Sequence, residues 1–217
     1  TMVSAFQCLA NTITVANYNN DSGYVNNLGN WVVGTGPRGK LGETSSKGPT
    51  RTGLFKPDIA ASGNTTNSTC PLFALPIIGD AILAYGGMHY KNGGTSMSSP
   101  VVAGIAALFL EKCNQASPND FKTALINAAY TDQWTGNVPN YAFGYGKADG
   151  FNTLINSNYS PTITNNTICQ GDDSTAVGTL ENYIWYSWSS GDSSQSSYYG
   201  VSSNEHVITI DSAGCLS

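Results

Sequence analysis

The residues best suited to chemistry lie in Gly94-Thr95-Ser96-Met97-Ser98-Ser99-Pro100, and an apolar run from Val101 to Leu110 follows at once. Gly93 and Gly94 allow a tight turn and remove side-chain bulk, so a bound chain could approach closely. Ser96 stands where a loop passes into a helix. The first N–H groups of a helix have no partner within it and carry the positive end of its dipole. A hydroxyl placed there can attack a carbonyl while neighbouring amides face the oxyanion that forms. Pro100 is expected in the first helical turn, where its missing N–H costs nothing. A serine at a helix start is by itself an ordinary cap. Its assignment as a nucleophile therefore rests on the whole string.

That string resembles the serine signature of the subtilisin-like peptidases, G-T-S-M-[AS]-x-P. Upstream, Ser45-Ser46-Lys47-Gly48-Pro49-Thr50 and Lys56-Pro57-Asp58-Ile59-Ala60-Ala61-Ser62-Gly63 are similar to the F-S-S-x-G-P and K-P-D-I-x-A-P-G segments of that family. Thr44 takes the place of the phenylalanine and Ser62 that of the second proline. Downstream, Gly144-Tyr145-Gly146-Lys147-Ala148-Asp149 resembles the G-x-G-x-[VIL]-[DN] element that closes the catalytic domain, with a small Ala148 in the apolar position. The resemblance implies an α/β fold, a parallel sheet covered by helices. It also implies a serine endopeptidase that hydrolyses protein or peptide substrates through an acyl-enzyme on Ser96. In family order the Asp, the His and the oxyanion Asn precede the serine, and all three are expected to lie before Thr1. The sedolisins share a G-T-S-x-x-x-P motif but use Glu and Asp partners. The Ser45 to Thr50 and Lys56 to Gly63 segments favour the subtilisin-like reading. A degenerate peptidase serving as an adhesion or matrix protein is a third reading, and the intact Gly94 to Pro100 string speaks against decay.

The remaining titratable candidates read as bland. His89, in Gly86-Gly87-Met88-His89-Tyr90, is a solvated loop histidine, and His206 lies outside the peptidase region. Asp21, inside Asn19-Asn20-Asp21-Ser22-Gly23, is a turn residue. The segment Asn11 to Ala16 reads as a short buried strand, Trp31-Val32-Val33 as another, and residues 17 to 55 as otherwise rich in loops. The helix from Ser96 to about Lys112 is apolar nearly all round and is expected to be buried on every side. Ser117-Pro118-Asn119-Asp120 starts a second helix, with Ser as N-cap, Pro at the first position and an acid in the first turn. Phe121, Ala124, Leu125 and Ala128 form its core stripe.

Composition narrows the class. The chain has 217 residues, a net charge of −5 and only 11% charged residues, with no basic patch, which argues against nucleic acid as a partner. No apolar run reaches the ~18 residues of a membrane span. After residue 157 the composition changes. Residues 158–217, with Tyr183 to Asp192 and Val207 to Cys215 as strand-rich stretches, resemble the immunoglobulin-like or PKD-like modules of secreted bacterial proteins. That implies a small, incomplete all-β sandwich, secretion or a bacterial cell-surface location, and surface or matrix contact through this module. Cys169 and Cys215 bracket it and are expected to form a disulfide. Cys8, Cys70 and Cys113 have no assignable pairing. No CxxC or Cys/His cluster marks a zinc site, and no cofactor is identifiable. Structural calcium is compatible with the resemblance, without a readable site. Asn64 and Asn67 head Asn-x-Ser/Thr patterns.

Overall fold

The computed structural model describes Val3 and residues 9–155, 174–178, 185–189, 193–200 and 207–210. They fall into two compact units, Thr1–Ala106 with Leu125–Gly150, and Ala107–Ala124 with Phe151–Ser217.

The first unit is organised on a parallel pair, β1 (Val15–Asn19) and β4 (Ile59–Asn64), in the register Val15↔Ile59 to Tyr18↔Ser62. The first strand starts at Val15, later than the expected Asn11, because the chain ahead of it is committed elsewhere. Thr14 donates its N–H to Asp58 Oδ2 at 2.7 Å, and its carbonyl accepts from the Asp58 N–H. Beside them Lys56 Nζ lies 2.6 Å from Asp58 Oδ2 and donates to the Thr12 carbonyl, with both charged side chains almost wholly buried. The Lys-Pro-Asp string thus staples the entry of β1 to the entry of β4. Ile59, Ala60 and Ala61 are buried. Ala16 and Ala60 pack with Phe143, flanked by Tyr18, Leu41 and Trp134. Single bridges carry the sheet outward, Ala60 to Lys147 in parallel and Tyr18 to Leu41 antiparallel.

Lys147 is a second buried cation. Its Nζ reaches Asp132 Oδ2 at 2.5 Å and the Gly39 carbonyl at 2.8 Å, and it stands over the Tyr18 ring. Burial pushes the Asp132 carboxyl up. Hydrogen bonds from Lys147 and from the Trp134 and Thr135 N–H groups outweigh that, and the carboxyl is held below its ordinary range.

Two antiparallel pairs complete this unit. β2 (Gly23–Val25) joins β3 (Trp31–Val33), the second expected strand, whose Trp31 and Val33 are exposed. β5 (Thr66–Thr69) joins β6 (His89–Asn92), and a 3-10 turn at Leu72–Ala74 and the short helix α1 (Leu75–Ile78) connect them. Asp21 is a turn residue as expected: its Oδ1 accepts from the Ser22 N–H at 2.7 Å.

Helix α2 spans Thr95–Lys112. Its expected burial on all sides does not hold: Val102 and Phe109 are buried, whereas Val101, Leu108 and Leu110 are 39%, 53% and 45% exposed. An all-apolar sequence states that a helix can be covered anywhere, not that neighbours cover it. α3 (Pro118–Asn127) starts where the sequence placed it, with Phe121 and Leu125 buried. In the second unit Phe109 of α2 meets Phe121 of α3 with ring centroids 5.5 Å apart. There Lys112 Nζ also donates to the Leu154 carbonyl at the end of α4 (Gly150–Ile155).

In the C-terminal stretch β7 (Ser174–Gly178) pairs with β9 (Ser196–Gly200), and β8 (Trp185–Trp188) with β10 (Val207–Ile210), both antiparallel. Tyr186 and Trp188 are buried against Val207. Cys113 is disulfide-bonded and Cys70 is free. Cys8, Cys169 and Cys215 lie outside the described residues, and so does the expected Cys169–Cys215 bond.

Candidate active site

Ser96 is exposed and is the second residue of α2. Gly94 precedes the helix with φ +129°, a conformation that L side chains rarely adopt. The turn is closed by Met97 N–H donating to the Gly94 carbonyl at 2.9 Å. Among the described residues the Ser96 N–H has no acceptor within the protein. It is one of the orphan donors at a helix N-terminus, on the residue whose hydroxyl is exposed beside it. Pro100 is the sixth residue of α2 and not part of its first turn. Its missing N–H falls where the Ser96 carbonyl would find its helical donor, so the proline loosens the helix directly behind the serine.

The loop is fixed from beneath by the end of β4. Gly94 N–H donates to the Gly63 carbonyl at 2.8 Å, and the buried Ser98 hydroxyl to the Ala61 carbonyl at 3.2 Å. Ser98, the second serine of the signature, is thus an anchor, while Ser96, two residues earlier, faces out. A cleft of about 470 Å³ opens at Ser96, lined by Met97, Pro100 and Val101 from α2, Thr66, Asn67 and Ser68 from β5, and Asn20. Every one of these side chains is uncharged. The sequence marks the serine but not the β5 wall, because Thr66 to Ser68 carry no catalytic signature and stand out only within the Asn-x-Ser/Thr patterns headed by Asn64 and Asn67.

His89 is exposed, as expected, but sits on β6 opposite Thr69 and not in a loop. Among the described residues neither His89 nor any carboxylate makes a hydrogen bond to Ser96. His206 lies outside the described residues. Asn64 does not behave as a surface acceptor for sugar: it is 6% exposed and its amide is engaged on both sides. Asn67 is exposed. Among the described residues no group of His, Cys, Asp and Glu is arranged to hold a metal ion, and no helix is long and apolar enough to cross a membrane.

The chain is 35% identical over 111 residues to the serine protease AprX of Bacillus subtilis, covering 51% of this chain and 24% of that protein. It is 35% identical over 102 residues to the subtilisin-like protease SBT1.9 of Arabidopsis thaliana, covering 46% and 14%. It therefore spans about a quarter or less of the length of these relatives. Among solved structures it is similar to the CspB protease of Clostridium perfringens, with 27% identity, a TM-score of 0.43 and coverage of 67% of this chain and 27% of that one. It is also similar to fervidolysin of Fervidobacterium pennivorans, with 24% identity, a TM-score of 0.44 and coverage of 76% and 21%. The model of the peptidase S8 family, described as the subtilase family, matches residues 1–146, and the chain belongs to that family.

Proposed function

We propose that Ser96 is the nucleophile of a secreted serine endopeptidase. The observation that carries this reading is an exposed hydroxyl on the second residue of a helix, beside its own unpaired N–H, in a neutral cleft. In the reaction the Ser96 Oγ attacks the scissile carbonyl carbon and its proton passes to a histidine base. The carbonyl oxygen becomes an oxyanion against the Ser96 N–H and the family's Asn, and collapse expels the amine, which takes the proton from the histidine. Water then releases the acyl group by the same route. The histidine, the aspartate that orients it and the oxyanion Asn are assigned to segments of the whole protein other than the described residues here. Residues 158–217 are read as an immunoglobulin-like module that makes surface or matrix contact and takes no part in the chemistry.

The test is Ser96→Ala in the full-length protein. Labelling by a fluorophosphonate probe should vanish and peptide hydrolysis should fall to near background, because no acyl-enzyme forms without the hydroxyl. Wild-type labelling of the variant would overturn the assignment.

A further inference from the structure

The serine loop rests on a ladder of buried asparagines. Asn17, Asn19 and Asn64 are 0%, 1% and 6% exposed. Asn17 Nδ2 donates to Asn64 Oδ1 at 2.9 Å, and Asn64 Nδ2 donates to Asn19 Oδ1 at 3.0 Å and to Thr35 Oγ1 at 3.3 Å. Thr35 Oγ1 donates in turn to Asn19 Oδ1 at 2.9 Å, and Asn19 Nδ2 to the Pro37 carbonyl. A chain of amides at the end of a parallel strand pair, where apolar residues would fill the core, calls for an explanation.

A β-bulge puts Asn64 there. The β1–β4 register runs Tyr18↔Ser62 and then Asn19↔Asn64, which leaves Gly63 without a partner residue. Side chains alternate along a strand, so without the bulge Gly63 would lie on the face of Asn17 and Asn19, and Asn64 on the other. The extra residue turns Asn64 in between them and leaves the Gly63 carbonyl free to accept the Gly94 N–H. Gly93 then lies directly on Asn64: a Cβ at position 93 would stand 2.8 Å from Asn64 Oδ1, and 3.4 Å from its Cα. The bareness of Gly93 thus makes room for an amide from inside the protein, not for a ligand from outside.

We propose that Asn64 is a positioning residue of the serine loop: its amide, clamped between Asn17 and Asn19, is the floor that fixes Gly93 and Gly94 and through them the place of Ser96. This rests on the reading of Ser96 as the nucleophile. Asn64 touches no reacting atom and acts only through the loop.

The experiment compares Asn64→Ala, Gly93→Ala, the double variant and Ser96→Ala in the full-length protein, reading the inactivation constants with a fluorophosphonate probe and the melting temperature of each. Asn64→Ala should lower the maximal labelling rate of the folded protein by about tenfold or more while the probe's half-saturating concentration moves by less than about twofold, because a displaced nucleophile loses rate before affinity. Gly93→Ala should do the same by pressing a methyl group on the amide. The double variant should be no slower than either single one, since the new methyl enters the space that the amide vacates. Asn64→Asp, which keeps the side-chain shape and the acceptor facing Asn17 but loses the donor to Asn19, should give the same reading if Asn64→Ala does not fold. Parental labelling rates with only a lowered melting temperature, or additive effects of the two substitutions, would overturn the proposal while Ser96→Ala stays unlabelled. If Ser96→Ala is itself labelled, the nucleophile assignment and the positioning role fall together.

Discussion

Lys56 shows most directly what one side chain does for this fold. Its ammonium and the Asp58 carboxylate are 1% and 6% exposed and 2.6 Å apart, and both also bind the backbone that leads into β1. A buried pair is weak evidence for net stability, yet removing one member leaves the other charge in a medium that solvates it poorly. Lys56→Met should therefore destabilise the protein by about 3–5 kcal/mol in urea unfolding, and Lys56→Met with Asp58→Leu by clearly less. A double variant as unstable as the single one would sink the account. The Lys-Pro-Asp string was legible as a family segment, but its role was not. The atoms it serves, on Thr12 and Thr14, are far from it in sequence, and nothing in the string names them. The asparagines were less legible still. Asn64 stands out in the sequence only as the head of an Asn-x-Thr pattern, which is local, whereas its burial follows from a bulge that only the pairing of two strands reveals. One signal was present in the chain: Asn17 and Asn19 repeat with the period of a strand beside the apolar Val15 and Ala16.

Elements with chemically marked ends were readable and elements defined by their neighbours were not. The start of α3 belongs to the first kind. Ser117 Oγ and N–H both donate to Asp120 Oδ2 at 2.8 Å, and the Asp120 N–H donates back to Ser117 Oγ at 3.3 Å, so orphan donors of the first turn are met within four residues. Ser117→Ala should cost about 1 kcal/mol in chemical denaturation. The hydrogen bonds from the Ser117 backbone and hydroxyl hold the Asp120 carboxyl below its ordinary range. A depressed folded value means that the contribution is full above the unfolded value of about 4 and is lost as the pH falls through the lowered one. Between neutral pH and about pH 2 the wild type should therefore lose more stability than Asp120→Asn, which has no proton to take up there. Equal acid sensitivity of the two proteins would show that the carboxylate does not hold the cap. α2 belongs to the second kind. Its start was legible to within one residue, Ser96 in the sequence against Thr95 in the structure, yet its apolar residues point all round, and the sequence could not say that Val101, Leu108 and Leu110 would face outward. Pro100 reads as a first-turn residue when Ser96 is taken as the junction of loop and helix, whereas the helix already includes Thr95 and Pro100 is its sixth residue.

At the scale of the molecule, the family was readable because three motifs stand in order around Ser96, and the match over residues 1–146 agrees. What the motifs do not supply is a complete catalytic set. Ser96 is a weak nucleophile at its free pKa and depends on a histidine within hydrogen-bond reach, itself oriented by a carboxylate. His89 is exposed on β6, and among the described residues no histidine bonds to Ser96. On the reading of Ser96 proposed above, residues 1–217 made alone should therefore show no turnover of unfolded casein. A second expectation follows from its surface. Leu108 and Leu110 on α2 are 53% and 45% exposed, and Leu72, Phe73 and Ile77 between β5 and β6 are 70%, 78% and 81% exposed, so apolar area is left to drive self-association. Size-exclusion chromatography over a concentration series should show oligomers that Leu108→Glu, on the α2 face, reduces. A monomer that hydrolyses casein near the parental rate and is blocked by phenylmethylsulfonyl fluoride would refute both halves of the argument, and would make His89 the first residue to mutate.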